Sequence, residues 1–169
     1  MHRRAFLATA MAFVPFTVLR CAAGADSPES GQDGPARFEV AKTEAEWRKI
    51  LTPEQFRVLR EHDTERAGSS PLNTEHRQGT YHCAGCDLAL FSSTTKFESG
   101  TGWPSFTAPL ENAVGTSVDR SLFAVRTEVH CRRCGGHLGH VFDDGPPPTG
   151  KRYCMNGAAL MFKPAPERM

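Results

Sequence analysis

The sequence predicts a mainly β domain, entered through two short helices and pinned by a structural metal site. Three observations carry that expectation. Two Thr-capped helical stretches come first, segments of alternating or apolar residues bounded by turn signals follow, and two matched C-x-x-C pairs punctuate those segments. The chain has 169 residues, 39% hydrophobic and 23% charged, which suits one domain with a real core rather than two. Its 20 basic and 19 acidic residues are mixed along the chain, so no basic run exists to track a phosphate backbone and nucleic acid is not an expected partner.

The first 25 residues read as a removable leader. A basic start (His2, Arg3, Arg4) precedes an apolar run from Ala5 to Leu19 that is short for a membrane span, and Ala23, Gly24 and Ala25 offer small residues for cleavage. Arg3-Arg4 followed by Phe6 and Leu7 resembles a twin-arginine export signal, the type that carries folded proteins, so export to a periplasm is expected. Cys21 would leave with the leader, and Arg20 sits where a lipidation site needs a small residue. Residues 26–37 are small, polar and rich in Gly and Pro, which reads as a flexible linker; the folded domain is expected over 38–165.

Within that domain, "TEAEWRKIL" and "TPEQFRVLREHDTE" each open on a Thr N-cap, and Pro53 takes the first helical position of the second. Phe56, Val58 and Leu59 are expected to face the core. Past "AGSSPLN", the segments "GTYHC", "LALFS", "SLFAVRTEVHC" and "RYCMNGAALMF" read as strands.

The cysteine pairs are the most specific signal. Cys83 and Cys86 in "CAGC" and Cys131 and Cys134 in "CRRCGG" each follow a β-like segment, and four thiolates at tetrahedral reach suit one structural zinc. Two separate disulfides are the bland alternative, but a bridge across only two intervening residues is strained and reducible. A thioredoxin-like pair would need a helix where "AGCDLALF" reads as a strand. An oxidising compartment competes for zinc-binding thiols, a difficulty that export in the folded state resolves.

With four cysteines assigned to zinc and one to the leader, Cys154 in "KRYCMNG" is left as the free thiol. A buried free Cys is most often an inert small hydrophobe. Strand parity, however, puts Arg152, Cys154 and Asn156 on one face, an electropositive setting that favours the thiolate. In "GGHLGHVFDDGPPPTG", His137 and His140 flank Gly139, read as a flexible point that lets both reach one cavity, and Trp103 in "ESGTGWPSF" could hold a soft apolar group.

Taken together, "LTPEQFRVLREHDTER", "YHCAGC", "KFESGTGWPSF" and "VRTEVHCRRCGGHLGHVFDDGPPPTGKRYCMNGAALMF" resemble the methionine sulfoxide reductases of the B type, over roughly Phe38 to Lys163. The resemblance implies antiparallel strands in two sheets or a partly open, β-tent-like barrel. It implies reduction of the R epimer of methionine sulfoxide in peptides and proteins, with Cys154 as nucleophile and a sulfenic acid as its product. By the same matching, His137, His140 and Asn156 surround the sulfoxide oxygen, while Trp103 and Phe142 enclose the substrate methyl group; Arg152 joins them by strand parity alone.

Many members of that family carry a second cysteine where this chain has Thr101, so recycling is expected to need an external thiol, either a small molecule or a thioredoxin-like protein. A monomer is expected. Two other classes share some of these residues. A zinc-ribbon interaction module would have the four ligands without need of Trp103, two histidines and Cys154; a cysteine hydrolase could use Cys154 with His137 and Asn156 on an ester or amide.

Overall fold

The computed structural model describes residues 38–121 and 124–166; the expected leader with Cys21 and the linker at 26–37 lie outside them. Helix α1 spans Glu44–Ile50 and α2 spans Pro53–Glu61. Each begins in a capping box: Thr43 with Glu46, and Thr52 with Gln55, the side chain of each satisfying the backbone N–H of the other. Their buried residues, Trp47 on α1 and Phe56, Val58 and Leu59 on α2, join the core as expected. Helix α2 ends on His62 in the left-handed conformation (φ 58°).

Nine strands follow among the described residues: β1 (Gly79–Cys83), β2 (Ala89–Ser92), β3 (Lys96–Phe97), β4 (Ser105–Phe106), β5 (Val114–Asp119), β6 (Arg126–Cys131), β7 (His137–Phe142), β8 (Arg152–Met155) and β9 (Leu160–Pro164). They form two antiparallel sheets, one ordered β2-β1-β9 and the other β3-β4-β8-β7-β6-β5. The mainly β, two-sheet architecture with helices at its start is therefore the one expected. Its core is aromatic where strands of the two sheets meet: Phe106 of β4 stacks on Phe91 of β2 at 4.4 Å and meets Tyr81 of β1 edge-on at 4.9 Å. Met155, at the end of β8, is wholly buried.

Three segments differ from their sequence expectation. "RYCMNGAALMF" is not one strand. It is β8 and β9, in different sheets, joined by a 3-10 turn at Gly157–Ala159. The turn forms because the Glu65 carboxylate accepts the N–H groups of Gly157 (2.6 Å) and Ala158 (2.8 Å), bonds that a continuing strand would have to forgo. "NAVGTSVD" supplies the edge strand β5, whose exposed middle residues hide the usual alternation.

The glycine-rich "HLGHVF" is strand β7, and Gly139 is no hinge. It pairs with Met155 on the neighbouring strand β8, so closely that a Cβ would stand 2.1 Å from the Cys154 carbonyl oxygen. Glycine is required by backbone approach, not by flexibility. Gly139→Ala should therefore lower stability by about 3 kcal/mol through overpacking, read as a lower urea midpoint at unchanged slope. An unchanged midpoint would show that β7 and β8 are not in this contact.

Candidate active site and metal centre

Strand pairing brings the reactive groups together. Cys154 on β8 stands directly across from His140 on β7, so the two side chains share a face, and Ser105 on β4 flanks Cys154 on the other side. The loop before β4 is tied in by the Met155 N–H, which donates to the Pro104 carbonyl at 3.0 Å. A cavity of about 130 Å³ results, walled by Cys154, His140, Phe142, Trp103, Asn156 and Gly139, with Thr64 and Arg126 closing it. Five of the seven residues expected at the site thus line one small cavity. His137 and Arg152 do not.

His137 is brought near by a bulge. Gly139 pairs with Val129 and His137 with His130, leaving Leu138 as an extra residue on β7; this resets side-chain parity, and the His137 and His140 rings meet at 5.4 Å. Each histidine has its own carboxylate. His137 donates from Nδ1 to Glu128 Oε1 (2.7 Å), and His140 donates from Nε2 to Asp119 Oδ2 (2.7 Å). The two rings therefore leave opposite nitrogens uncommitted, Nε2 on His137 and Nδ1 on His140. The His137 Nε2 is buried and has no partner among the described residues.

Glu128 also takes His62 Nδ1 at 3.1 Å and the Ser117 hydroxyl at 2.5 Å, and Arg126 donates to Asp119 at 2.7 Å. A groove of about 710 Å³ between the start of the α2–β1 connection and the β5–β6 hairpin shares Thr64, Arg126 and His140 with the cavity. Glu128, Asp119, Arg126 and Thr64 escape sequence reasoning: Asp119 lies outside the quoted motifs, and the other three lie within them but in no local pattern that points to a site.

Asn156 lies just past the strand end. Its Oδ1 accepts the Glu65 N–H (3.0 Å) and its Nδ2 donates to the Leu138 carbonyl (3.1 Å), so both ends of the amide hold backbone. Trp103 is held from the same place, its Nε1 donating to the Glu65 carbonyl at 3.1 Å. Arg152 turns to Asp144, which it grips with two bonds of 2.8 Å, and its guanidinium carbon sits 4.4 Å from the Phe142 ring centroid. It packs on the Phe142 wall and also faces the Cys154 sulfur.

Burial pushes the Cys154 thiol above its ordinary value, and the Thr101 hydroxyl, the Arg152 charge and Ser105 only partly oppose it. The sequence expectation of a favoured thiolate is thus reversed, because the strand that supplies Arg152 also takes the sulfur out of water. Burial lowers His140 despite Asp119, so the resting pair is a thiol facing a neutral imidazole.

The four knuckle cysteines converge away from this cavity. Their sulfurs lie within 4.8 Å of one another, with Cys83 to Cys134 at 3.7 Å and Cys86 to Cys131 at 3.5 Å. A tetrahedral ion with metal–sulfur bonds of about 2.3 Å has edges of about 3.8 Å, so the set fits a tetrahedral thiolate centre. No pair is at disulfide distance, and all four are free thiols. The Arg60 guanidinium donates to the Cys134 carbonyl (3.1 Å), tying the second knuckle to α2, and that of Arg133 donates to the Cys86 carbonyl (3.3 Å), tying the two knuckles to each other.

The SelR domain family matches residues 51–164. The chain is 56% identical over 127 residues to the peptide methionine sulfoxide reductase MsrB of Pseudomonas putida (strain W619), covering 75% of this chain and 96% of that protein. It is similar to the MsrB of Agrobacterium fabrum at 53% identity (75% and 94% covered) and to that of Methanosarcina barkeri at 56% identity over 129 residues (76% and 91% covered).

The bond from His137, followed by that from His62, holds the Glu128 carboxyl well below its ordinary value of 4.5. A depressed carboxyl contributes stability above its unfolded pKa that is lost as pH falls toward the folded one. Glu128→Gln should therefore flatten the fall in urea midpoint below about pH 4.5 while lowering the midpoint at pH 7. An acid limb as steep as that of the wild type would remove Glu128 from this role.

Proposed function

The chain belongs to the SelR-domain family of B-type peptide methionine sulfoxide reductases, and we propose that it reduces the R epimer of methionine sulfoxide in peptides and proteins with Cys154 as nucleophile. One observation carries this reading: the small cavity places a lone thiol opposite a carboxylate-bound imidazole, between the two aromatic walls Trp103 and Phe142. The walls suit a methyl group, and the imidazole suits an oxygen. A site that seats those two substituents separately accepts one configuration at a chiral sulfur.

The resting protonation supports the sequence of steps. His140 takes the Cys154 proton at its free Nδ1, and Asp119 stabilises the imidazolium that results. The thiolate attacks the sulfoxide sulfur as His140 returns the proton to the sulfoxide oxygen. The oxygen passes to the cysteine sulfur, which loses two electrons as the methionine sulfur gains two, leaving methionine and a Cys154 sulfenic acid. His137 backs the His140 ring. Asn156 and Arg152 act by position, the first holding the Leu138 and Glu65 backbone and the second holding Phe142.

The other proposals concern the rest of the cycle. Thr101, with its hydroxyl 3.8 Å from the Cys154 sulfur, stands where a resolving cysteine would act, so regeneration falls to an external thiol, small or thioredoxin-like. The knuckle centre holds zinc, which closes the fold and takes no part in the chemistry. The leader directs export, and the protein works as a monomer in the periplasm.

Two outcomes check these proposals. Without reductant, the wild type should release about one methionine per chain from the R epimer and none from the S epimer, and Cys154→Ser should release none while keeping its metal. Turnover by Cys154→Ser would exclude the mechanism. The metal-loaded chain should contain one zinc, and Cys131→Ser should lose metal and cooperative unfolding together, since binding energy at such a centre is folding energy; a stripped wild type that unfolded at an unchanged temperature would count against it.

A further inference from the structure

Thr101 is not a passive replacement. Its hydroxyl, 3.8 Å from the Cys154 sulfur, is 2.9 Å from the Ser99 hydroxyl, which is 2.7 Å from that of Ser105, which in turn reaches the Trp103 carbonyl at 3.2 Å. The sulfur, three hydroxyls and a carbonyl thus form one line, with the Thr101 N–H also donating to Ser99 Oγ (3.4 Å) and with Ser105 and the Arg152 guanidinium also facing the sulfur. Its far end is sealed, because Ser105 is 1% exposed. The loop is also built to present Thr101: it is flanked by left-handed Gly100 (φ 72°) and Gly102 (φ 94°), and the Gly102 carbonyl accepts both the Gly68 N–H (2.7 Å) and the Asn73 amide (3.0 Å).

We propose that Thr101, Ser99 and Ser105 form a reversible hydroxyl chain on the Cys154 sulfur, in which Thr101 is the catalytic donor and the two serines position it. The counting of hydrogens supports two orientations. With Cys154 as a thiol, S–H donates to Thr101, Thr101 to Ser99, Ser99 to Ser105, and Ser105 to the Trp103 carbonyl, so every hydrogen is used. A thiolate can only accept. The thiol proton leaves to His140 and the rotors turn, Ser105 donating to Ser99, Ser99 to Thr101, and Thr101 to the sulfur, so that all three hydroxyl protons stay in the line. A buried thiolate gains a charge-assisted bond whose donor is itself polarised by two further hydroxyls.

The chain serves regeneration as well as attack, and this part rests on the recycling by external thiols proposed above. One external thiol condenses with the sulfenic acid to give a mixed disulfide and water. A second thiolate attacks the outer sulfur of that disulfide, the S–S bond breaks, and its electron pair leaves on Cys154 as thiolate. The better that leaving sulfur is hydrogen bonded, the faster it departs. Where a second cysteine would shorten the cycle, Thr101 instead eases its last step.

The test uses the full, metal-loaded chain without substrate. Alkylation of Cys154 by iodoacetamide, located by mass spectrometry, is followed against pH. Thr101→Val keeps the shape and removes the hydroxyl, and should raise the midpoint by about one pH unit; Thr101→Ser should stay near the wild type. An unchanged midpoint in Thr101→Val, or an equal rise in both variants, overturns the proposal. Should Thr101→Val fail to fold, Ser99→Ala leaves Thr101 in place but cuts its polarising partner. Its midpoint should rise by a smaller amount, and no rise is likewise fatal. A chain that passed this test yet reduced no sulfoxide would overturn the proposed function and leave the hydroxyl chain standing.

Discussion

The site depends on one buried carboxylate. Glu65 leaves the segment after α2, enters the body of the domain and accepts the N–H groups of Gly157 and Ala158, bonds of the charge-assisted kind worth about 1.5–3 kcal/mol each. Burial raises its pKa and the two N–H groups oppose that rise, so the carboxylate is tolerated only because the turn supplies donors. Everything around it follows from where that turn must be. β8 has to stop at Met155, the chain has to cross to the other sheet, and the Glu65 backbone is left to hold Asn156 by its N–H and Trp103 by its carbonyl. One residue thereby sets two walls of the cavity and the end of the strand that carries Cys154.

The electrostatics of the cavity separate holding a proton from moving it. The two histidines differ in which nitrogen is tied to a carboxylate, and so in which nitrogen remains for chemistry; His140 offers Nδ1 to the cavity it lines, while His137 stays behind it, 2% exposed. The β7 bulge is what permits this. Without the extra residue, residues three apart on a strand would face opposite sides of the sheet. The four-cysteine cluster lies outside this arrangement, with Cys83 ending β1 and Cys131 ending β6, one strand of each sheet.

Much of this was legible in the sequence because it depends on local rules. The Thr caps and Pro53 mark both helices, the knuckle spacing marks four converging sulfurs, and Cys154, His140, Trp103, Phe142 and Asn156 sit in long distinctive motifs. What was not legible depends on pairing across distance. Glu128 and Asp119 gain meaning only when β5 and β6 are laid beside β7, and Glu65 only when its segment meets a turn some ninety residues later. Gly139 belongs with them: a glycine between histidines looks like a hinge until the strand paired beside it is known. Strand parity sets Cys154 beside Arg152, but parity does not report burial, and burial decides the direction of its titration.

The strand that presents Cys154 carries a methionine as its very next residue. Because successive residues of a strand point to opposite faces, placing the cysteine in the cavity puts Met155 in the core, with no accessible surface. Met161, on β9, is 36% exposed. An oxidant that reaches Cys154 therefore finds no exposed thioether beside it, and among the described residues the accessible thioether is that of Met161, in the other sheet.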